Sequence, residues 1–260
     1  MINESQRILI TSSCRDCDDI PKVLDAGKIL CDSQGNRYQC MHNGVKILYG
    51  TYHSPWMNTI IENLSGHHEP QEELVFHHII NTLNDQASML ELGCNWAYYS
   101  IWFNHKIKDP YNLCIEPDTS RLDSGKRNAR YNSCTNIDFI QGGFGSIDSE
   151  KTYTLSRLFN ESSVQYFDIV HSDTQGAEAA FLNLDQDTLD KVGYFVISTH
   201  HLAVHTQLIN FFRSNNFHIV AEHNLSQSSS VDGLIVVLNN NNKHKYTNIV
   251  SIENCTITKR

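Results

Sequence analysis

The sequence predicts an α/β fold built on a mainly parallel, doubly wound sheet. After Gln86, apolar runs of strand length alternate with segments of helical pattern, which favours a sheet covered by helices on both faces. The run Met89–Ser100 has the order of a buried strand, a tight turn and a helix start, typical of a nucleotide-binding loop. One βα unit later, Leu113–Ile115 ends in the carboxylate of Glu116, where doubly wound folds hold ribose hydroxyls.

Residues 1–65 form an N-terminal extension ahead of this alternating region. An antiparallel meander is predicted over 28–49, because short apolar runs flank Ser33-Gln-Gly-Asn36 and Asn43-Gly44 offers a type I′ turn. An aromatic loop follows the meander and leads into a short helix over 57–64.

A single domain over 66–240 begins with a helix opened by Glu69 and Pro70. The polar loop 224–233 is too short for a parallel crossover, so the final strand should run antiparallel to the strand before it. Asn239–Asn242 is expected to be a mobile linker before a tail over 241–260. Seven strands are predicted, at 88–92, 112–116, 137–141, 167–172, 193–199, 217–222 and 233–238.

Charge and hydropathy exclude two classes of partner. The 260-residue chain has a formal net charge of −9, and its 20 Lys and Arg residues are scattered, whereas a polyanion-binding protein gathers them into a patch. No apolar run approaches the roughly 20 residues of a membrane helix, and Ile8–Ile10 is too short for a signal-peptide core. We therefore expect a cytoplasmic protein with no nucleic-acid partner and no membrane span.

The eight cysteines suit a reducing compartment. Cys14-Arg-Asp-Cys17 has the spacing of half a zinc knuckle, but Cys31 and Cys40 have eight residues between them and do not supply the second close pair. Reduced, partly buried thiols are the favoured interpretation, and zinc at Cys14 and Cys17 stays an open alternative.

The turn after the first core strand favours S-adenosylmethionine (SAM) over a dinucleotide. The dehydrogenase pattern G-x-G-x-x-G is absent, because Asn95 and Ala97 follow Gly93. A pyrophosphate needs the close backbone approach that a second glycine permits, and SAM carries no phosphate.

Several motifs occur together between residues 66 and 238, and the most specific is Asp173-Thr-Gln-Gly-Ala-Glu178. The others are Gly66-His-His-Glu-Pro-Gln-Glu-Glu73, Leu90-Glu-Leu-Gly93 with Ala97-Tyr-Tyr-Ser100, Ile115-Glu-Pro-Asp118, Phe167-Asp-Ile-Val-His-Ser172 and Ser198-Thr-His-His201. In these motifs the chain resembles the FkbM-type methyltransferases. The resemblance implies a Rossmann-like class I methyltransferase fold, SAM as cofactor, and O-methylation of a sugar, glycan or glycosylated metabolite.

The resemblance also implies a cofactor site. Two of its parts have a structural alternative. Gly142 and Gly143 can belong to a plain loop, and Glu69 can be a capping acid in the first helical turn. The cofactor-binding residues are Glu91 and Gly93 toward the methionine part, Asn95 and Ala97 along the loop, Glu116 at the ribose, Gly142, Gly143 and Phe144 at adenine, and Glu69 at SAM or substrate.

Catalytic residues are expected at the carboxyl ends of the fourth and fifth strands, which bring Asp173 beside His200 and His201. A histidine with a pKa near ~6.5 supplies a free base at neutral pH, so either histidine is a candidate base, oriented by Asp173. In a second mechanism Asp173 and His200, with a contribution from His171, bind Mg²⁺ or Mn²⁺ that chelates a diol. The structural alternative places one of the paired histidines inward and the other in solvent.

Tyr52, His53 and Trp56 are candidate substrate contacts, because aromatic faces stack on sugar rings; the alternative is a loop anchored in the core by Trp56. Two other functions stay open: a non-catalytic SAM-fold module that binds a partner or glycan, and an NAD-dependent oxidoreductase. The sequence leaves the oligomeric state, homo-oligomer included, undetermined.

Overall fold

The computed structural model of the protein describes residues 3–52, 54–247 and 256–258. The N-terminal extension contains two helices and the predicted meander, whose three strands pair antiparallel in the order β1-β2-β3. These elements are α1 (Glu4–Ser12), β1 (Ile29–Cys31), β2 (Arg37–Cys40), β3 (Lys46–Leu48) and α2 (Pro55–Asn63).

The rest of the chain alternates strands with helices, as the hydrophobic pattern predicts. Its elements are α3 (Pro70–Ile80), β4 (Ser88–Leu92), α4 (Tyr98–Lys106), β5 (Tyr111–Glu116), α5 (Thr119–Tyr131), β6 (Ile137–Gln141), β7 (Gly143–Phe144), β8 (Thr152–Tyr153), α6 (Leu155–Glu161), β9 (Phe167–Ser172), a 3₁₀ helix (Glu178–Asn183), α7 (Gln186–Asp190), β10 (Val192–Thr199), α8 (Leu202–Ser214), β11 (Phe217–His223), β12 (Gly233–Asn239) and a second 3₁₀ helix (Asn240–Lys245).

The central sheet has seven strands in the order β11-β12-β10-β9-β4-β5-β6. Strand β12 lies between β10 and β11 and pairs antiparallel with both, whereas β10, β9, β4, β5 and β6 pair in parallel. The seven predicted strands and the reversed last strand are confirmed. Each observed boundary lies within one residue of its predicted position.

Alternate residues of each central strand enter different cores, because side chains in a strand point to opposite faces. Met89 and Val196 pack in the layer that also buries the helices of the N-terminal extension. Leu90 and Ile197 pack in the layer on the other face, with α6 and α8. All four side chains are fully buried, so the sheet is covered on both faces.

The linker predicted over Asn239–Asn242 is wrong. Asn239 ends β12 and Asn240 begins a 3₁₀ helix, in which Asn242 is buried. The asparagine side chains bind backbone groups: Nδ2 of Asn239 donates to the carbonyl of Leu189 at 3.1 Å, and Oδ1 of Asn239 accepts from Asn241 N at 3.0 Å. Residues 248–255 and 259–260, which are half of the predicted tail, lie outside the described residues. Within the described ranges, no helix has the length and apolar character to span a bilayer.

Candidate active site

A cleft in two connected parts lies at the carboxyl ends of the parallel strands. Gly93, Asp173 and Gln175 line both parts and therefore lie where the two meet. The first part is lined also by Arg7, Trp56, His68, Glu69, Glu91, Tyr99, His171 and Asp232, and the second by Glu116, Arg121, Gly143, Phe144 and Thr174.

Gly93 allows the ends of β4 and β9 to lie against each other. Its φ is +78°, and a Cβ at this position would overlap the carbonyl oxygen of Asp173. The contact is held by Asp173 N, which donates to the carbonyl of Leu92 at 3.0 Å. Only glycine fits this conformation and this close approach, and the result is that Asp173 lies between the two parts of the cleft.

The loop after Gly93 keeps a glycine-like backbone without glycine. Asn95 and Ala97 have φ values of 44° and 60°, in the left-handed region where a side chain other than glycine is strained. Asn95 lines the cleft as predicted. Ala97 does not: it is fully buried behind the loop and precedes the first residue of α4. Its predicted position along the cofactor is therefore wrong.

Glu116, the residue predicted to hold the ribose, ends β5 with its carboxylate fixed by two backbone N–H groups. Its Oε2 accepts from Asn95 N at 3.1 Å, and its Oε1 accepts from Asp118 N at 3.0 Å. The two backbone N–H groups hold the carboxylate in place, and each oxygen keeps a second lone pair for a ligand hydroxyl.

Glu91 forms part of the floor of the first part of the cleft. Its Oε2 accepts from Ser100 N at 3.1 Å and from the Ser100 hydroxyl. Burial raises the pKa of Glu91 to about 7, against the opposing effects of His171 and Ser100. The side chain therefore anchors the start of α4 as well as facing the cleft.

Of the three residues in the turn after β6 that were predicted to contact adenine, two line the cleft. Gly143 and Phe144 line the second part of the cleft. A Cβ on Gly142 would instead overlap the ring of Tyr153, so Gly142 packs on the strand β8 and is absent from the cleft lining.

Glu69 precedes α3 but does not cap it, because its side chain makes no capping hydrogen bond. Its Oε2 accepts from the hydroxyl of Tyr99 at 3.0 Å and lies 3.2 Å from Nε2 of His68. Burial alone would raise the pKa of Glu69, but the charge of His68 and its hydrogen bond lower it to about 2. Glu69 is therefore an anionic wall of the cleft, and the capping alternative is wrong.

His200 lies among three carboxylates, and we call Asp173, Glu178, His200 and Asp232 the cleft cluster. Nδ1 of His200 donates to Oε1 of Glu178 at 2.8 Å. Its Nε2 lies 3.4 Å from Oδ1 of Asp173 and 3.6 Å from Oδ1 of Asp232. The prediction that Asp173 and His200 come together at the strand ends agrees with these distances.

The cleft cluster changes the expected protonation states. Burial would lower the pKa of His200, but its hydrogen bond to Glu178 and the charges of Asp173 and Asp232 raise it to about 9. Burial and the charge of Glu69 raise the pKa of Asp173 to about 7, against the opposing charge of His200. His200 is therefore protonated at neutral pH, contrary to the free base expected from the sequence. Asp173, like Glu91, exchanges a proton near pH 7.

His201 does not share this environment. It is exposed and precedes the first residue of α8, where its carbonyl accepts from His205 N at 2.9 Å. The pair thus has one partly buried and one exposed histidine, the arrangement of the structural alternative.

Mg²⁺ or Mn²⁺ at Asp173 and His200 has no support from the geometry, because in the described part of the chain these two side chains belong to no group of three potential ligands close enough to share an ion. His171, the expected third contributor, donates from Nε2 to Oε1 of Glu72 at 2.6 Å. In the described ranges, the group of three ligand-type side chains close enough to share an ion is instead His42, His67 and Glu73.

The substrate contacts predicted in the aromatic loop have different outcomes. Tyr52 is buried, donates its hydroxyl to Oε1 of Gln39 at 2.6 Å and accepts from Nδ2 of Asn58 at 2.7 Å. Its predicted substrate contact is therefore wrong, because both capacities of the hydroxyl are used inside the extension. Trp56 is partly buried and lines the cleft. His53 lies outside the described residues.

Among the cleft residues that were not predicted from the sequence, Arg7 and Asp232 come from remote parts of the chain. Arg7, on α1, lies over the ring of Trp56 at 5.0 Å from its centroid, and its Nη2 donates to Oδ2 of Asp232 at 3.2 Å. Asp232 precedes β12 and faces His200. The two residues are 225 positions apart, and no local pattern marks either one, so only the tertiary contact identifies them.

No protein-family model matches the sequence, and no curated protein matches it significantly. Among solved structures, the chain is similar to an rRNA methylase from Streptococcus thermophilus, with a TM-score of 0.50, 10% identity, and coverage of 65% of this chain and 96% of that one. It is also similar to a putative rRNA methylase from Clostridium thermocellum, with a TM-score of 0.51, 5% identity, and coverage of 65% and 94%. With the strand order, this likeness shows the Rossmann-like class I methyltransferase fold.

Proposed function

We propose that this protein is a SAM-dependent O-methyltransferase of the FkbM type, whose acceptor is the hydroxyl of a sugar, glycan or glycosylated metabolite. The observation that carries the proposal is the pair of adjoining hollows at the carboxyl edge of the sheet, which share Gly93, Asp173 and Gln175 as lining residues. Glu116 lies in one hollow, and Asp173 lies where that hollow meets the acidic one. Ligands of doubly wound folds bind at this edge.

The positions and the charges of the cleft residues match the successive parts of SAM. Phe144 offers an apolar face for adenine, and Glu116 has lone pairs for the two ribose hydroxyls. Glu69 and Glu91 line the other part and suit the positive charges of the sulfonium and the α-ammonium group. When bound, SAM supplies an electrophilic methyl group.

Asp173 is the proposed catalytic base. With a pKa raised to about 7, its carboxylate accepts the proton that the acceptor hydroxyl loses as its oxygen is methylated. His200 is a positioning residue, because its protonated ring lies 3.4 Å from Asp173 and donates to Glu178. Holding the hydroxyl in line with the methyl carbon supplies most of the remaining rate enhancement.

A hydroxyl on an uncharged acceptor suits this site better than a nucleic acid. Carboxylates of Glu69, Glu91, Asp173 and Asp232 line the first part of the cleft, and a phosphate backbone would be repelled by them. The rRNA acceptors named for the two similar structures belong to those proteins. Trp56, held by Arg7, offers a ring face on which a sugar can stack.

Calorimetric titration of the purified chain with SAM and S-adenosylhomocysteine tests the cofactor. We expect micromolar binding, and we expect Glu116→Gln to weaken it at least tenfold, because the ribose contact loses its charge-assisted hydrogen bonds. Glu62→Gln, at an exposed position on α2, is the matched control and should bind like the unaltered chain. No heat with either nucleoside would favour a non-catalytic module, and heat with NAD alone would favour an oxidoreductase.

A methyl-transfer screen with labelled SAM tests the acceptor. Mono- and oligosaccharide glycosides form one arm, and rRNA fragments form the other. We expect label in a sugar hydroxyl. Label in RNA alone would overturn the acceptor class while leaving SAM-dependent methyl transfer in place.

A further inference from the structure

A second group of histidine and glutamate side chains lies beneath the cleft, where the N-terminal meander meets the core. We call His42, His67 and Glu73 the buried cluster. Nδ1 of His67 donates to Oε2 of Glu73 at 2.5 Å, and Nε2 of His42 lies 3.9 Å from the same oxygen. The two imidazole rings stack with their centroids 4.0 Å apart.

The buried cluster contains unused ligand atoms. His42 and His67 are 2% and 0% exposed, and the Nε2 atoms of both rings have no hydrogen-bond partner. Leaving a buried polar atom unpaired costs about 1–3 kcal/mol. Such atoms in a native core call for an explanation, and an absent ion is one of the explanations.

Hydrogen bonds from neighbouring groups fix the orientation of the side chains in the buried cluster. Nδ1 of His42 donates to the carbonyl of Pro21 at 3.2 Å, which leaves the Nε2 lone pair free. Oε1 of Glu73 accepts from His68 N at 2.8 Å, and Oε2 also accepts from the hydroxyl of Tyr98 at 3.2 Å. Metal-binding histidines usually donate their other ring N–H in this way, and their carboxylate partners are likewise hydrogen-bonded.

We propose that His42, His67 and Glu73 bind a divalent cation of the zinc class. One ligand atom from each lies within 4.8 Å of those of the other two, close enough to share one ion. Two imidazoles with one carboxylate form a set that suits Zn²⁺, whereas Mg²⁺ and Ca²⁺ prefer oxygen ligands alone.

One residue of the buried cluster borders a groove. His42 lines this groove between the extension and the core, together with His77, Trp102 and Lys106. The groove is therefore the part of the described surface that lies next to the cluster.

The cation would fasten the extension to the methyltransferase domain. His42 follows β2, and its backbone N donates to the carbonyl of Gly66 at 3.0 Å, just before His67. Gly66 has a φ of +96°, and a Cβ there would overlap the backbone of His42. The chain segments that carry the three ligands thus already lie in contact, and the ion adds a bond between them.

Metal analysis of the untagged full chain tests the proposal. After chelator treatment, reloading with Zn²⁺ and removal of excess ion, we expect one zinc per chain. His42→Gln and His67→Gln should each weaken zinc binding at least tenfold. His78→Gln, on the same helix as Glu73 but outside the cluster, is the matched control and should keep one zinc. Co²⁺ should give a visible absorption spectrum in the unaltered chain that both cluster variants lose.

The alternative zinc ligands are the cysteines, and Cys14→Ser separates them from the cluster. The proposal is overturned if Cys14→Ser loses zinc and His42→Gln keeps it. It is also overturned if the unaltered chain holds less than roughly 0.2 zinc per chain after reloading. Circular dichroism establishes that each variant is folded. If both cluster variants unfold, the unaltered chain decides the question: a melting temperature that Zn²⁺ raises after chelation supports the site, and an unchanged one overturns it.

Discussion

The cleft cluster and the buried cluster combine the same two chemical groups with opposite results. In the cleft cluster one imidazole faces three carboxylates, and the pKa of His200 rises to about 9. In the buried cluster two imidazoles share one carboxylate. Burial therefore dominates over the charge of Glu73 and lowers the pKa of His42 to about 4. The ratio of carboxylates to imidazoles, and not burial alone, decides which histidine carries a proton.

The difference assigns different chemistry to the two regions. A protonated His200 has no lone pair to offer, and it can only hold the carboxylates around it, of which Asp173 is the one with a pKa near neutrality. A neutral His42 has a free Nε2 lone pair and can act as a ligand. The acidic region is thus suited to proton transfer and the histidine-rich region to metal binding.

The largest expected effect comes from Asp173→Asn, which removes the proposed base. We expect turnover at saturating SAM and acceptor to fall by about 10²–10⁴-fold, the usual contribution of a general base. Steady-state kinetics measures it, and Asp187→Asn, at an exposed carboxylate, is the control expected to match the unaltered enzyme. A rate for Asp173→Asn within threefold of the control would remove Asp173 from catalysis.

Glu73→Gln should cause the next largest effect, on stability. It leaves the buried imidazole of His67 without its carboxylate and leaves His68 with Glu69 alone, and breaking a buried pair costs about 3–5 kcal/mol. The free energy of unfolding of chelator-treated protein, from urea titration, is the measurement. Glu62→Gln, at an exposed position, should change it by less than about 0.5 kcal/mol. Equal losses in both variants would show that the buried cluster contributes nothing to folding.

The pH dependence of kcat/KM separates the two candidate bases. We expect the rate to rise as Asp173 loses its proton near pH 7 and to fall as His200 loses its proton near pH 9. A rise that persists unchanged in Asp173→Asn would remove Asp173 as the base and would point to Glu91, whose pKa is also raised to about 7.

The pKa of His200 should lie above the ordinary histidine pKa and that of His42 below it. NMR of the imidazole rings in chelator-treated protein measures both values. Because the folded-state pKa of His200 is raised, its stabilising contribution is complete below about pH 6.5 and is lost as the pH rises through about 9. His42 should stay neutral down to about pH 4. Identical titration midpoints for the two would contradict the comparison between the clusters.

The smallest expected effects distinguish two aromatic residues of the extension. Tyr52→Phe should cost about 1–2 kcal/mol of stability, through two lost hydrogen bonds, with no change in acceptor KM. Trp56→Ala should raise acceptor KM severalfold, because the ring lines the cleft, and should leave SAM affinity unchanged. Equal losses of both affinities in Trp56→Ala would indicate a folding defect instead.

Much of the fold follows from local pattern. The alternation of strand and helix, the seven strand positions and the reversed β12 could all be predicted, because hydrophobic period and loop length are properties of short segments. The positions of Glu116 and Asp173 at strand ends follow for the same reason. Parallel strands bring their carboxyl ends to one edge, so residues at those ends meet.

The tertiary structure alone decided which side chains share a charge environment. Arg7, His42 and Asp232 stand far from the motifs in sequence, yet they complete the cleft and the buried cluster. Ala97 and Tyr52 fit the expected patterns but are buried where no ligand reaches them. A pKa or a cavity depends on distances between segments remote in the chain, and the pattern of one segment carries no information about its distant neighbours.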